Sequence, residues 1–135
     1  MADKIEDLEG IGEKRGETLR QAGITTPAKL LAAGASRSGR KALAEKTGLE
    51  EKSILKWVNL ADLCRIKGVS TQYSELLEAA GVDTIKELAT RNTENLTAKM
   101  AEVNKSKKLA RQIPAAKSVA NWIEQAKCLP ATVTH

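Results

Sequence analysis

The chain repeats itself, and that repeat limits its fold more than any other feature. Shifted by 58 residues, Leu8-Glu9-Gly10-Ile11-Gly12 falls on Ile66-Lys67-Gly68-Val69-Ser70, and Leu19-Arg20-Gln21-Ala22-Gly23-Ile24 falls on Leu77-Glu78-Ala79-Ala80-Gly81-Val82. Thr26 meets Thr84 and Leu30 meets Leu88 in the same register. Further on the offset becomes 65, which sets Lys52-Ser53-Ile54-Leu55-Lys56-Trp57-Val58 on Lys117-Ser118-Val119-Ala120-Asn121-Trp122-Ile123. The two tryptophans are therefore equivalent, and the second copy carries an insertion of 7 residues between Asn104 and Pro114. Self-similarity of this kind means one supersecondary unit used twice.

Punctuation inside each copy predicts helices. In the first, a helical turn over Lys4 to Leu8 leads into Gly10-Ile11-Gly12, and a helix from Glu13 to Ala22 stops at Gly23. Thr26-Pro27 is a strong start signal for a helix to Ala33, because the threonine caps and the proline occupies the first helical position. Ser36 opens a helix to Thr47, closed by Gly48, and Glu50 to Leu63 carries Ile54, Val58 and Ala61 on one stripe with Trp57 at its edge. The second copy reads as helices over Ser70 to Ala80, from Asp83 or Thr84 to Thr90, from a Thr93 cap to Val103, and from Ala115 to Cys128. Tyr73, Leu76, Leu77 and Ala80 face inward on the first of these. No segment alternates long enough to be a strand, so the expected class is all-α.

The apolar residues suit such a fold. There is no Phe, one Tyr and two Trp in 135 residues, so the core is built from aliphatic side chains that pack between close helices. One copy of about 60 residues buries too little surface to be stable alone. Repeats at 1–63 and 64–135 are therefore expected to pack, through their tryptophan helices, into one compact helical domain.

Several functions are excluded or disfavoured. No apolar stretch approaches the roughly 20 residues of a membrane span, and MADKIEDLEG has no hydrophobic signal region, which points to a cytoplasmic protein without a membrane partner. Cys64 and Cys128 lack metal-ligand spacing and are expected to be core thiols. The only histidine is His135, which leaves none for a buried triad or a metal site, so no enzyme, metal or cofactor is expected. Gly10-x-Gly12-x-x-x-Gly16 is one residue too long for a dinucleotide fingerprint, and Gly34 to Lys41 resembles a phosphate loop without the strand such a loop follows. Ser38-Gly39-Arg40-Lys41 and Lys46-Thr47-Gly48 match penicillin-binding signatures only by coincidence, since the chain lacks the needed size and sheet.

Charge is more informative. The net charge is +5, but residues 105–135 hold 6 basic and 1 acidic side chain, whereas residues 59–104 hold 5 and 7. Two windows are free of acid: Thr18 to Ala44, with Arg20, Lys29, Arg37, Arg40 and Lys41, and Lys105 to Lys117, with Lys105, Lys107, Lys108, Arg111 and Lys117. Such windows suit a polyanion or simply a solvated surface.

Glycine, apolar residue, glycine, then a small residue four places on has a specific meaning between two helices. Gly10 and Gly12 allow a sharp turn with exposed amides, Ile11 anchors it, and Gly16 permits a close crossing. Amides at a helix start favour an anion such as phosphate, and Lys14 and Arg15 supply charge. Leu8-Glu9-Gly10-Ile11-Gly12-Glu13-Lys14-Arg15-Gly16 thus resembles the helix-hairpin-helix motif of DNA repair and recombination proteins. That resemblance implies sequence-independent binding of a nucleic-acid backbone through Gly10, Ile11, Gly12 and Lys14. Glu9 departs from the usual proline, and Glu13 adds an unfavourable carboxylate. In the second copy Ser70 replaces the second glycine, Gln72 the basic residue and Ser74 the small one, so Lys67, Gly68 and Thr71 are left as weaker contacts in a mainly structural unit. Arg37, Arg40, Lys41, Lys105, Lys107 and Lys108 would extend the contact. Through LEGIGEK, ALAEKTG, ILKWVNLADL and LLEAAGV the chain also resembles the DUF4332 family, which implies a fold and no activity. The alternative is a protein-interaction module using the hairpins and the tryptophan helices.

Overall fold

The computed structural model describes residues 4–8 and 10–134; the expectations for Glu9 and His135 lie outside the described residues. Among the described residues there are eight α-helices, one 3-10 turn and no strand, so the protein is all-helical. It divides into two compact units. One unit ends at Asp62 and takes the chain up again at Thr132; the other spans Leu63 to Ala131.

The first unit opens with the 3-10 turn Ile5–Asp7, followed by α1 (Gly12–Gln21), α2 (Pro27–Gly34), α3 (Arg37–Thr47) and most of α4 (Glu51–Leu63). The second contains α5 (Thr71–Ala79), α6 (Ile85–Leu88), α7 (Thr93–Lys107) and α8 (Ala116–Cys128). Caps set these boundaries. Thr26 Oγ1 accepts from Lys29 N at 3.2 Å with Pro27 beginning the helix, and Ser36 Oγ accepts from Gly39 N at 3.0 Å. Both α1 and α5 end in the same way: Gly23 N donates to Arg20 O and Ile24 N to Leu19 O, as Gly81 N donates to Glu78 O and Val82 N to Leu77 O. A left-handed glycine followed by a buried aliphatic residue closes each helix by satisfying its last carbonyls.

Both ends of α7 differ from the sequence reading. The cap of α7 is Asn92, whose Oδ1 accepts from Asn95 N at 3.0 Å, and the helix runs on to Lys107 rather than Val103. Lysines in a last turn are good helix formers that interact favourably with the negative end of the dipole, so Asn104 to Lys107 extend the helix without an apolar stripe. The insertion therefore first lengthens α7 and only then becomes a loop. Lys108 turns left-handed with φ 51°, and the Asn104 amide holds both main-chain groups of Ala110, at 2.9 and 3.0 Å.

The core is aliphatic in both units. Ile5, Leu8, Ile11, Leu19, Leu30, Ile54 and Val58 are buried in the first; Ile66, Val69, Leu76, Leu77, Leu88, Met100 and Val119 are buried in the second. Trp57 and Trp122 are also buried. Cys64 is a core thiol as expected, and burial raises its pKa although its hydrogen bond with Ser74 partly offsets this. Cys128 is not: it is exposed at the end of α8, on the side of the helix away from Val119, Trp122 and Ala126. A thiol reagent such as DTNB should therefore modify one cysteine within minutes and the second only on unfolding. Prompt modification of both would contradict the placement of Cys64.

Candidate nucleic-acid interface

The two glycine turns rest on the same local device. Apolar residues recur every third position, and each donates its amide to the carbonyl of the previous one: Leu8 to Ile5 and Ile11 to Leu8 in the first unit, Ile66 to Leu63 and Val69 to Ile66 in the second. All six side chains are buried, so the backbone between them is forced outward. The outward residue is glycine in both turns, with φ +86° at Gly10 and +96° at Gly68. Each glycine lies over the indole nitrogen edge of its own tryptophan. A Cβ at Gly10 would stand 3.6 Å from Trp57 Nε1, and one at Gly68 would stand 3.0 Å from Trp122 Nε1.

Gly12 is different, because its φ of +70° demands glycine while a Cβ there would meet nothing within 4 Å. Gly12→Ala should thus cost only backbone strain, about 1–2 kcal/mol, whereas Gly68→Ala adds a tight contact with the indole and should cost more. Urea unfolding of the two variants checks the order; equal effects would show that the indole yields freely. Gly16 is buried as the small residue of a close approach. What crosses it is the side chain of Glu6, whose Cγ would lie 2.5 Å from a Cβ at that position and whose carboxylate pairs with Arg20. Ser74 fills the matching position in the second unit, fully buried, with its hydroxyl donating to Thr71 O at 2.8 Å.

The helix starts beyond the turns are not alike. Ser70 caps α5, accepting from Tyr73 N at 3.2 Å, and the Gln125 amide engages both main-chain groups of Lys67, at 2.9 and 3.0 Å. The amides of Lys67 and Tyr73 are thereby used internally. The N-cap of α1 is Ile11, which has no side chain able to accept, so no side chain caps this helix. Gly12, Glu13, Lys14 and Arg15 are all exposed around that start. Arg15 leans back toward Gly10 O at 3.5 Å, a long contact that leaves its charge in solvent.

Ile11 is buried as an anchor, Lys67 and Gly68 are exposed, and Thr71 is half-buried. Arg37 and Lys41 are exposed on α3 of the first unit; Lys105, Lys107 and Lys108 are exposed at the end of α7 in the second. Arg40 is a correction to the expected set of contacts. It is 4% exposed, and its guanidinium donates to Gly34 O at 2.8 Å, Ala35 O at 3.1 Å and Thr134 O at 2.7 Å. Burial lowers its pKa, with Arg37 adding to the effect and Glu51 opposing it. The negative end of the α2 dipole offsets its charge, so Arg40 holds the fold and is not free for a phosphate.

Sequence reasoning missed Gln125, whose role rests on a partner 58 residues away, and it left Arg111 outside the site. Arg111 lines a cleft of about 570 Å³ beside the second turn, together with Ser70, Gln72, Tyr73, Ala110 and Gln112. Among the described residues no group of histidine, cysteine and carboxylate side chains could hold a metal ion, and no helix is long and apolar enough to cross a membrane.

A repeated helical unit with a glycine turn seated on a buried tryptophan is thus the defining feature of the chain. The model of a domain of unknown function, DUF4332, matches residues 9–129, and the chain belongs to that family. No curated protein and no solved structure matches it.

Proposed function

We propose that the chain is a non-catalytic module that binds a nucleic-acid backbone without reading its sequence, and that its glycine turns are helix-hairpin-helix units of which the first makes the contact. The observation that carries this reading is the contrast between the two helix starts. Ser70 caps α5 and Gln125 holds the main chain of Lys67, while α1 begins with no side-chain cap, between two positive-φ glycines and beside exposed Lys14 and Arg15. Unpaired amides, the positive end of the helix dipole and two cations favour a phosphate, and Glu13 weakens the attraction. Arg37 and Lys41 are further cations of the same unit, and Lys105, Lys107, Lys108 and Arg111 give the second unit a basic edge. The protein-interaction alternative draws on the tryptophan helices, and it loses support because both tryptophans are buried.

The test is a salt titration of binding to two unrelated duplexes and one single strand, read by fluorescence anisotropy. About four to six phosphate contacts give a log-log slope of magnitude roughly 4 to 5 for duplex DNA, with micromolar or weaker affinity at physiological salt. The two duplexes should bind alike. A strong preference between them, or a slope near zero, would defeat the backbone reading.

A further inference from the structure

The chain ends its described course on the first unit rather than on the second, and the corner that receives it is organised as a receptor for main chain. Arg40 is buried, and the hydrogen-bond partners of its guanidinium are all carbonyl oxygens: two at the end of α2, Gly34 and Ala35, and one at Thr134. The first two fix the plane of the guanidinium and direct its second nitrogen at the incoming segment. Ala35 supplies the complementary group, since its carbonyl accepts from Thr134 N at 2.8 Å. Both main-chain groups of Thr134 are thus held, one by a donor and one by an acceptor, as in the addition of a strand to a sheet edge.

One side chain of the segment is buried. Val133 is 7% exposed and enters the unit, whereas Thr134 is exposed and its hydroxyl reaches Ala35 O only at 3.4 Å. Pro130 and Ala131, which lead to the corner, are exposed. The segment is short, and it is held by the main-chain bonds of Thr134, the buried side chain of Val133 and a further interaction of Thr132. Its removal leaves a buried guanidinium with an unmatched donor, a costly state that favours refilling.

We propose that Ala35 and Arg40 form a binding site for an extended peptide carrying a small β-branched residue, filled in this chain by its own Thr132 to Thr134. Tethering gives that segment an effective concentration in the millimolar range, so a free peptide below that range competes poorly while the tether is intact. This site is independent of the nucleic-acid reading.

The experiment uses the full-length chain, labelled with 15N, and the acetylated peptide PATVTH. Val133→Asp expels the segment by burying a charge, and Thr134→Pro removes the donated N–H without touching Val133. In both variants the amide signals from Ala35 to Arg40 should leave their wild-type positions and return toward them at millimolar peptide. Wild type should respond less than the variants at that concentration, because its own segment is present at a comparable effective concentration, and neither variant should respond to the peptide PATDTH. The proposal is overturned if folded variants ignore PATVTH, if wild type responds to it equally, or if the wild-type Thr134 amide exchanges with water as fast as that of a free peptide.

Discussion

Trp122→Ala should destabilise the second unit by about 3–5 kcal/mol, the range for removing a large aromatic side chain from a packed core. Trp122 is 3% exposed, and three kinds of contact meet on it. Gly68 lies over its Nε1, the Tyr73 ring stands 5.4 Å away at a 49° tilt, and it belongs to the cluster of Val69, Leu76, Val119 and Ala126. The tilted ring pair adds roughly 0.5–1.5 kcal/mol beyond area burial. Removing the indole also leaves the second glycine turn without its support. Trp122→Phe keeps much of the volume and should be far less destabilising. Urea unfolding followed by far-UV circular dichroism measures both, and an effect under about 1 kcal/mol for Trp122→Ala would contradict the seating of the turn on the indole.

The repeat made much of this legible. Equivalence of Trp57 and Trp122 in sequence corresponds to equivalent places under Gly10 and Gly68, because a supersecondary unit used twice brings its anchor with it. Local chemistry was equally readable at Thr26, Ser36, Gly23, Gly48 and Gly81, where cap and helix lie within a few residues of one another. Asn92 escaped because Thr93 beside it carries the same signal. Arg40 escaped for a different reason. A basic residue on the first turn of a helix reads as solvated, and only Thr134, 94 residues on, reveals that the side chain is enclosed. Gln125 and Lys67 form the same kind of long-range pair, so the sequence pattern marked the second turn as weaker without showing that Gln125 holds its main chain at Lys67. Cys128 was expected in the core because it lacks metal-ligand spacing, but helical rotation carries position 128 away from the buried stripe of Val119, Trp122 and Ala126.

Lys14→Glu with Arg15→Glu should abolish most nucleic-acid binding while leaving the protein folded. Both side chains are exposed on the first turn of α1, and the hydrogen bond from Arg15 to Gly10 O is long at 3.5 Å. Carboxylates at a helix start interact favourably with the dipole, so the double variant keeps its stability or gains a few tenths of a kcal/mol. Weakened binding then reports the phosphate contact itself and not unfolding. Two fewer phosphates neutralised lower the duplex slope by about 1.8, and repulsion from the new carboxylates weakens binding at low salt by about tenfold or more. Lys67→Glu, beside the turn whose following helix is capped by Ser70, should have a smaller effect.

The most direct measurement is therefore the salt dependence of duplex binding for wild type and the Lys14→Glu, Arg15→Glu variant, side by side, with circular dichroism confirming the fold of each. A phosphate clamp at the start of α1 predicts sequence-independent binding by wild type at low salt, and a variant with a shallower slope and roughly tenfold or greater weakening of affinity. Wild type that fails to bind at low salt, or a folded variant that binds as wild type does, would contradict it.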